Sequence, residues 1–249
     1  MFALLRRLKG GSMASRSALG NSERFLAYIR EWQAALPPLP IEEAVPDAGR
    51  AAIFSVDLVR GFCYEGPLAS PRVKAIIPAV TELFRLAWGR GVRNFVLIQE
   101  GHEPDAREFD QYGRHCVRGT FEAETVPEIR ALPFHNQMQI VLKNSISSFS
   151  GTSLGSWLGD HPEVDTLVAV GDCTDLCTYQ LAMHMQVYAN AHQRRRRVIV
   201  PSDCVDTYDL PVEAAASAGT FPHDGDLLNL VFLYHMALNG IEVVGHIGA

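Results

Sequence analysis

The chain has 249 residues, 47% hydrophobic and 20% charged, a globular balance that excludes wholesale disorder. Its 22 Lys and Arg against 28 Asp and Glu leave a formal net charge of −6, which argues against a nucleic-acid partner. No apolar run approaches the roughly 20 residues of a membrane-spanning helix, so no membrane partner is expected.

The opening stretch MFALLRRLKGGSMASRS has basic residues after a short apolar segment and no long apolar core. Residues 1–20 therefore read as a flexible tail rather than a signal peptide. Helical spacing starts at Asn21, with Phe25, Ile29 and Trp32 on one face. Ser22 is placed to cap that helix and Pro37-Pro38 to stop it. PPLPIEEAVPDAGR reads as a linker, so 21–50 is an N-terminal helix with its linker and 51–249 one domain.

From Ala51 onward, short apolar runs alternate with helical patterns. Strands are predicted at 51–57, 95–100, 138–143, 165–172, 197–203 and 241–245. Helices are predicted at 71–91, from about 175 to 190, and at 227–238, with Pro71 near the start and Gly91 near the end of the first. Continuous apolar strands alternating with helices imply a mainly parallel sheet covered on both faces. The stretch 101–137 lacks a strong period, and a long irregular segment in a compact domain is usually functional. The run Arg194 to Arg197 reads as a solvated loop.

In such sheets the ligand site lies beyond the carboxyl ends of the strands. The first strand ends in Asp57, the second in Glu100 followed by His102, and the third in Lys143. The fourth ends in Gly171-Asp172, with Cys177 close behind at a helix start. A thiol there feels the positive end of the helix dipole, and an ammonium nearby lowers its pKa further. Each residue also has an ordinary role: Asp57 as a loop cap, Lys143 as a solvated strand end of little weight for stability, Cys177 as a small core residue. Spacing alone leaves the choice open. Five cysteines (Cys63, Cys116, Cys173, Cys177, Cys204) are too few for a disulfide scaffold and read as reduced thiols in a cytoplasmic protein.

The segments SVDLVRGFC (55–63), KNSISSFSGTSL (143–154) and GDCTDLCTYQLAMHMQVYA (171–189) resemble the three motifs of the isochorismatase-like cysteine hydrolases, in the order Asp, Lys, Cys. The resemblance implies a Rossmann-like three-layer α/β/α fold around a mainly parallel six-stranded sheet. It implies Asp57, Lys143 and Cys177 as catalytic residues. It also implies an oxyanion hole from the backbone N–H groups of Cys173 and Cys177, presented by a cis peptide between Asp172 and Cys173.

RHCVRGTFEAETVP (114–127) looks most like the nicotinamidase branch. Members of that branch bind a divalent metal through a D-x-H pair after the second strand and the histidine of H-C-V. The matching positions are Glu100, His102 and His115, with Glu in place of Asp. One Zn, Fe or Mn ion and no organic cofactor are implied. Phe62, Tyr112 and Phe149 are expected to line the substrate pocket.

The implied activity is hydrolysis of a small carboxamide through a thioester, with nicotinamide the leading substrate. Its alternatives are an N-carbamoyl or ureide substrate, or a non-catalytic scaffold with the same fold. A small-molecule amide and a second copy of the chain in a homo-oligomer are the expected partners.

Overall fold

The computed structural model describes residues 15–249. The expected flexible tail lies, for residues 1–14, outside the described residues. The N-terminal helix runs Ser15–Ala34, six residues earlier than its apolar spacing suggests, so Ser22 lies inside it and does not cap it. This helix belongs to a unit ending at Ala35, and Leu36–Ala249 form a second compact unit.

The predicted linker belongs to that second unit. Its strand β1 (Leu39–Pro40) pairs in parallel with β8 (Ile247–Gly248) at the other end of the chain. A four-residue helix, Ile41–Ala44, buries Ile41 and Ala44. An extended run with apolar side chains can therefore be a structural strap, which composition alone does not separate from a linker.

The main sheet contains β2 (Ala51–Val56), β3 (Asn94–Glu100), β4 (Gln139–Lys143), β5 (Thr166–Gly171), β6 (Arg197–Pro201) and β7 (Glu242–Val244). Their order is β4-β3-β2-β5-β6-β7, and every pairing is parallel. Helices flank the sheet, as expected for a three-layer α/β/α fold. Every residue of β2 and β5 is buried, which is why both read as unbroken apolar runs. β4 is an edge strand, with Ile140 and Leu142 exposed while Val141 and Lys143 point inward. The chain order reverses between β2 and β5, the switch point where open α/β sheets place their ligands.

The predicted 71–91 helix is two helices, Pro71–Ala75 and Ile77–Arg90. Pro78 has no N–H to donate backward, so the ladder breaks just before it. Gly91 ends the second helix in the left-handed conformation, φ 108°. The last long helix, Gly225–Leu238, is capped by Asp224, whose side chain accepts from the Leu227 N–H at 2.9 Å. The arginine run is only half solvated. Arg194 and Arg195 are exposed, but Arg196 is buried and Arg197 pairs with Glu242 at 2.6 and 2.7 Å. Among the described residues no helix is long and apolar enough to cross a membrane.

Candidate active site

Four strand ends converge at the switch point. Asp57 follows β2 with φ 54°. Its amide still donates to the Ile98 carbonyl at 2.8 Å, the last bond of the β2–β3 ladder, and the positive φ turns the chain out of the sheet after it. Next door, Gly171 ends β5 with φ 110°, and a Cβ there would sit 2.0 Å from the Val56 carbonyl oxygen. Only glycine lets the two strand ends approach so closely. The Asp172-Cys173 peptide is cis. The Cys177–Ala191 helix then begins on Cys177 itself.

Lys143 is the hub. Its Nζ lies 2.8 Å from Asp57 Oδ2, 2.8 Å from Glu100 Oε1 and 3.5 Å from Cys177 Sγ. The other Asp57 oxygen, Oδ1, accepts the Glu100 N–H at 2.8 Å. The side chains of all four residues are buried. Burial opposes charge on Lys143, but Asp57, the Cys177 thiol and Glu100 outweigh it and hold the ammonium charged. Burial pushes the Asp57 carboxyl up to about 6, against the pull of Lys143 and with a further push from Glu100.

The expected lowering of the Cys177 pKa is not found. Burial pushes the thiol well up, and Asp57, Glu100 and Cys173 add to this against the single ammonium. The helix dipole and one cation lose to desolvation and two carboxylates. The resting thiol is therefore protonated.

Glu100 faces two ways. While Oε1 meets Lys143, Oε2 lies 3.0 Å from His102 Nε2 and 2.8 Å from His115 Nε2, and the two ring nitrogens are 3.2 Å apart. The far nitrogens settle the tautomers. His115 Nδ1 faces the Gly113 carbonyl at 2.8 Å and so carries a proton. His102 Nδ1 faces Asn144 Oδ1, which already accepts from the Glu103 amide, at 3.2 Å. In the neutral rings both Nε2 atoms are thus bare acceptors, turned on a carboxylate oxygen. Burial would push Glu100 up, but the Lys143 ammonium outweighs it and holds the carboxyl well below the usual carboxylate range.

Three acceptors this close need positive charge among them. Donors about 2.1 Å from one ion lie roughly 3.0 Å apart at right angles, so separations of 2.8–3.2 Å fit one face of an octahedral ion. The residues present, Glu included, fit a divalent metal.

A cavity of about 570 Å³ opens over Asp57 and Cys177. Phe62 and Tyr112 line it as expected. Phe149 does not. It stacks on His184 of the Cys177–Ala191 helix, ring centres 3.6 Å apart, and Ile146 takes the expected place in the cavity wall. Among the described residues no backbone carbonyl or side chain accepts the N–H of Cys173 or Cys177, while the neighbouring amides of Leu176 and Thr178 both donate to the Cys173 carbonyl.

Comparison with known proteins places this arrangement. The isochorismatase domain family matches residues 51–226. The chain belongs to that family. Nicotinamidase 1 of Arabidopsis thaliana is 28% identical over 234 residues, 84% of this chain and 93% of the relative. Pyrazinamidase of Pyrococcus horikoshii, solved in complex with zinc, is 25% identical with a TM-score of 0.61, covering 78% of this chain and 98% of its own. N-carbamoylsarcosine amidase of Thermoplasma acidophilum is also 25% identical, with a TM-score of 0.57 over 78% and 95%.

Asp172, which the sequence places at a strand end and in the cis peptide without a chemical role, is a further member of the site. It lines the cavity floor with Oδ1 buried and unpartnered among the described residues, while Oδ2 accepts from the Cys173 thiol at 3.7 Å. Burial, then Asp57 and Glu100, push its carboxyl well up against the pull of Lys143, which favours the neutral form. The only signal in the sequence was an acid directly after a strand-ending glycine.

The consequence for stability has a definite sign. An acid whose folded pKa lies above its unfolded value of about 3.9 loses stability as pH rises from there toward the folded pKa. Asp172→Asn removes that loss. Its melting temperature should match the parent near pH 4 and exceed it by more than about 3 °C at pH 7. Parallel melting curves across that range would mean that Asp172 is charged and paired.

Proposed function

We propose that the protein hydrolyses an uncharged carboxamide through a cysteine thioester, with nicotinamide as the reference substrate. The observation that carries this is the convergence of Asp57, Lys143 and Cys177 beneath the cavity, with the acceptor triangle of Glu100, His102 and His115 beside them. The lining of the cavity favours a neutral substrate over an N-carbamoyl amino acid. It contains Asp57, Glu100, Asp172 and Asp209 and no Lys or Arg, so no side-chain cation lines it to pair with a substrate carboxylate.

The thiol of Cys177 attacks the carboxamide carbon while Asp57 takes its proton. The free N–H groups of Cys173 and Cys177 receive the developing oxyanion. Asp57 returns the proton to the leaving ammonia, which leaves a thioester on Sγ. Water, deprotonated by the same carboxylate, releases the acid and restores the thiol. Lys143 keeps Asp57 ionised in a buried site. An ion held by Glu100, His102 and His115 would supply a Lewis acid next to these groups.

The test joins metal content to product. The purified protein should hold about one divalent ion per chain, His102→Ala should empty the site, and the parent should release ammonia from nicotinamide. A metal-free protein with full activity on an N-carbamoyl substrate and none on nicotinamide overturns the reading.

A further inference from the structure

The cavity is larger than a single-ring amide requires. At about 570 Å³ it falls among pockets that bury drug-sized ligands. Asp57, Cys177, Phe62 and Tyr112 line it, and so do Leu68 and Val73 from the 67–73 turn and, as a second wall, Leu210 and Phe221.

The second wall is a flap spanning residues 208–223, and its base is built to stay in place. Leu210 and His223 exchange backbone hydrogen bonds of 2.7 and 2.9 Å, closing the loop between them. His223 stacks on Tyr208 at 3.8 Å, and its Nε2 lies 2.8 Å from Asp175 Oδ2, two residues before the nucleophile. Arg72 clamps the chain just outside, reaching Asp206 at 2.8 Å and Asp226 at 2.6 Å. Phe221, two residues before His223, lines the cavity yet is 67% exposed, so a ligand lying against it would cover apolar surface now open to water.

Charge narrows the ligand further. Lys143, beside Asp57 and Cys177, and Arg72, between the lining residues Pro71 and Val73, are each already paired with two carboxylates. No Lys or Arg lines the cavity to answer a phosphate or a carboxylate.

We propose that the substrate is an uncharged carboxamide with an apolar extension well beyond one ring, lying between the 67–73 turn and the 208–223 flap, and that Leu210 and Phe221 select for it. This rests on the amidase reading of the inner site and specifies which amides that site serves.

The test uses the full-length, metal-loaded protein with two neutral series, 5-alkylnicotinamides and 4-alkylbenzamides, from hydrogen to hexyl. Ammonia release gives kcat/KM for each. Each buried methylene corresponds to about a fourfold gain, so at least one series should rise by tenfold or more along its length. A tail of equal length ending in a carboxylate should lose that gain. Leu210→Ala and Phe221→Ala should each reduce the ratio of the hexyl compound to its parent by about tenfold. That ratio does not depend on how much active protein a preparation contains. If nicotinamide is hydrolysed but both series are flat or fall with length, the inference is overturned and the amidase reading stands. If no amide releases ammonia, both are overturned.

Discussion

Cys177→Ala is expected to abolish amide hydrolysis, lowering kcat by at least about 10⁴-fold, because no other group can form the thioester. The remaining thiols cannot substitute. Cys63, Cys116 and Cys204 are buried and do not line the cavity. Cys173 reaches the cavity, but its thiol is turned on Asp172. Cys63→Ala and Cys204→Ala should therefore keep most of the activity. Steady-state ammonia release from the three variants decides the matter, and turnover by Cys177→Ala would end the cysteine-hydrolase account.

The second large effect belongs to Lys143, and here the structure changes what the sequence led one to expect. A strand-end cation was expected to carry little stability. Lys143 is instead fully buried between Asp57 and Glu100. Lys143→Met leaves two buried carboxylates without their cation, a loss of about 3–5 kcal/mol at neutral pH. Both carboxyls then titrate higher than in the parent. The variant should lose stability as pH rises past about 4, and its melting temperature should approach the parent's toward that pH.

The chemistry should fall in parallel. The parent's kcat/KM should decline as pH drops through about 6, where Asp57 takes a proton and stops acting as a base. In Lys143→Met that limb moves to higher pH, and kcat at neutral pH should fall by about 10²–10⁴-fold. Lys143→Arg separates folding from catalysis. It keeps a cation and should recover stability more than activity, because a planar guanidinium cannot place one donor on each of the three partners. Near-normal turnover in Lys143→Met, with an unshifted pH profile, would reduce Lys143 to a structural role.

The same residue shows how far the sequence could be read. Lys143, Asp57 and Cys177 were legible because strand ends in a parallel sheet point at one crevice, and local motifs marked which ends mattered. Glu100, His102 and His115 were grouped only by the resemblance to the nicotinamidase branch, since His115 lies at no strand end. That Glu100 holds Lys143 with one oxygen and faces both histidines with the other was not legible, since three separate chain segments meet there.

The sequence by itself determined the parallel sheet, its strand positions and the residues at the strand ends. Burial on both faces of a strand leaves a continuous apolar run, and a helix start leaves its mark within a few residues. Tertiary structure alone decided that Phe149 turns to His184 rather than to the cavity. It also decided that residues 36–50 strap the body through β1 and β8, and that the Cys177 thiol rests protonated. The reason is common to all three. Periodicity and propensity are properties of neighbours in the chain, whereas the wall of a pocket, the partner of a strand and the field at a thiol are set by groups distant in sequence and adjacent in space.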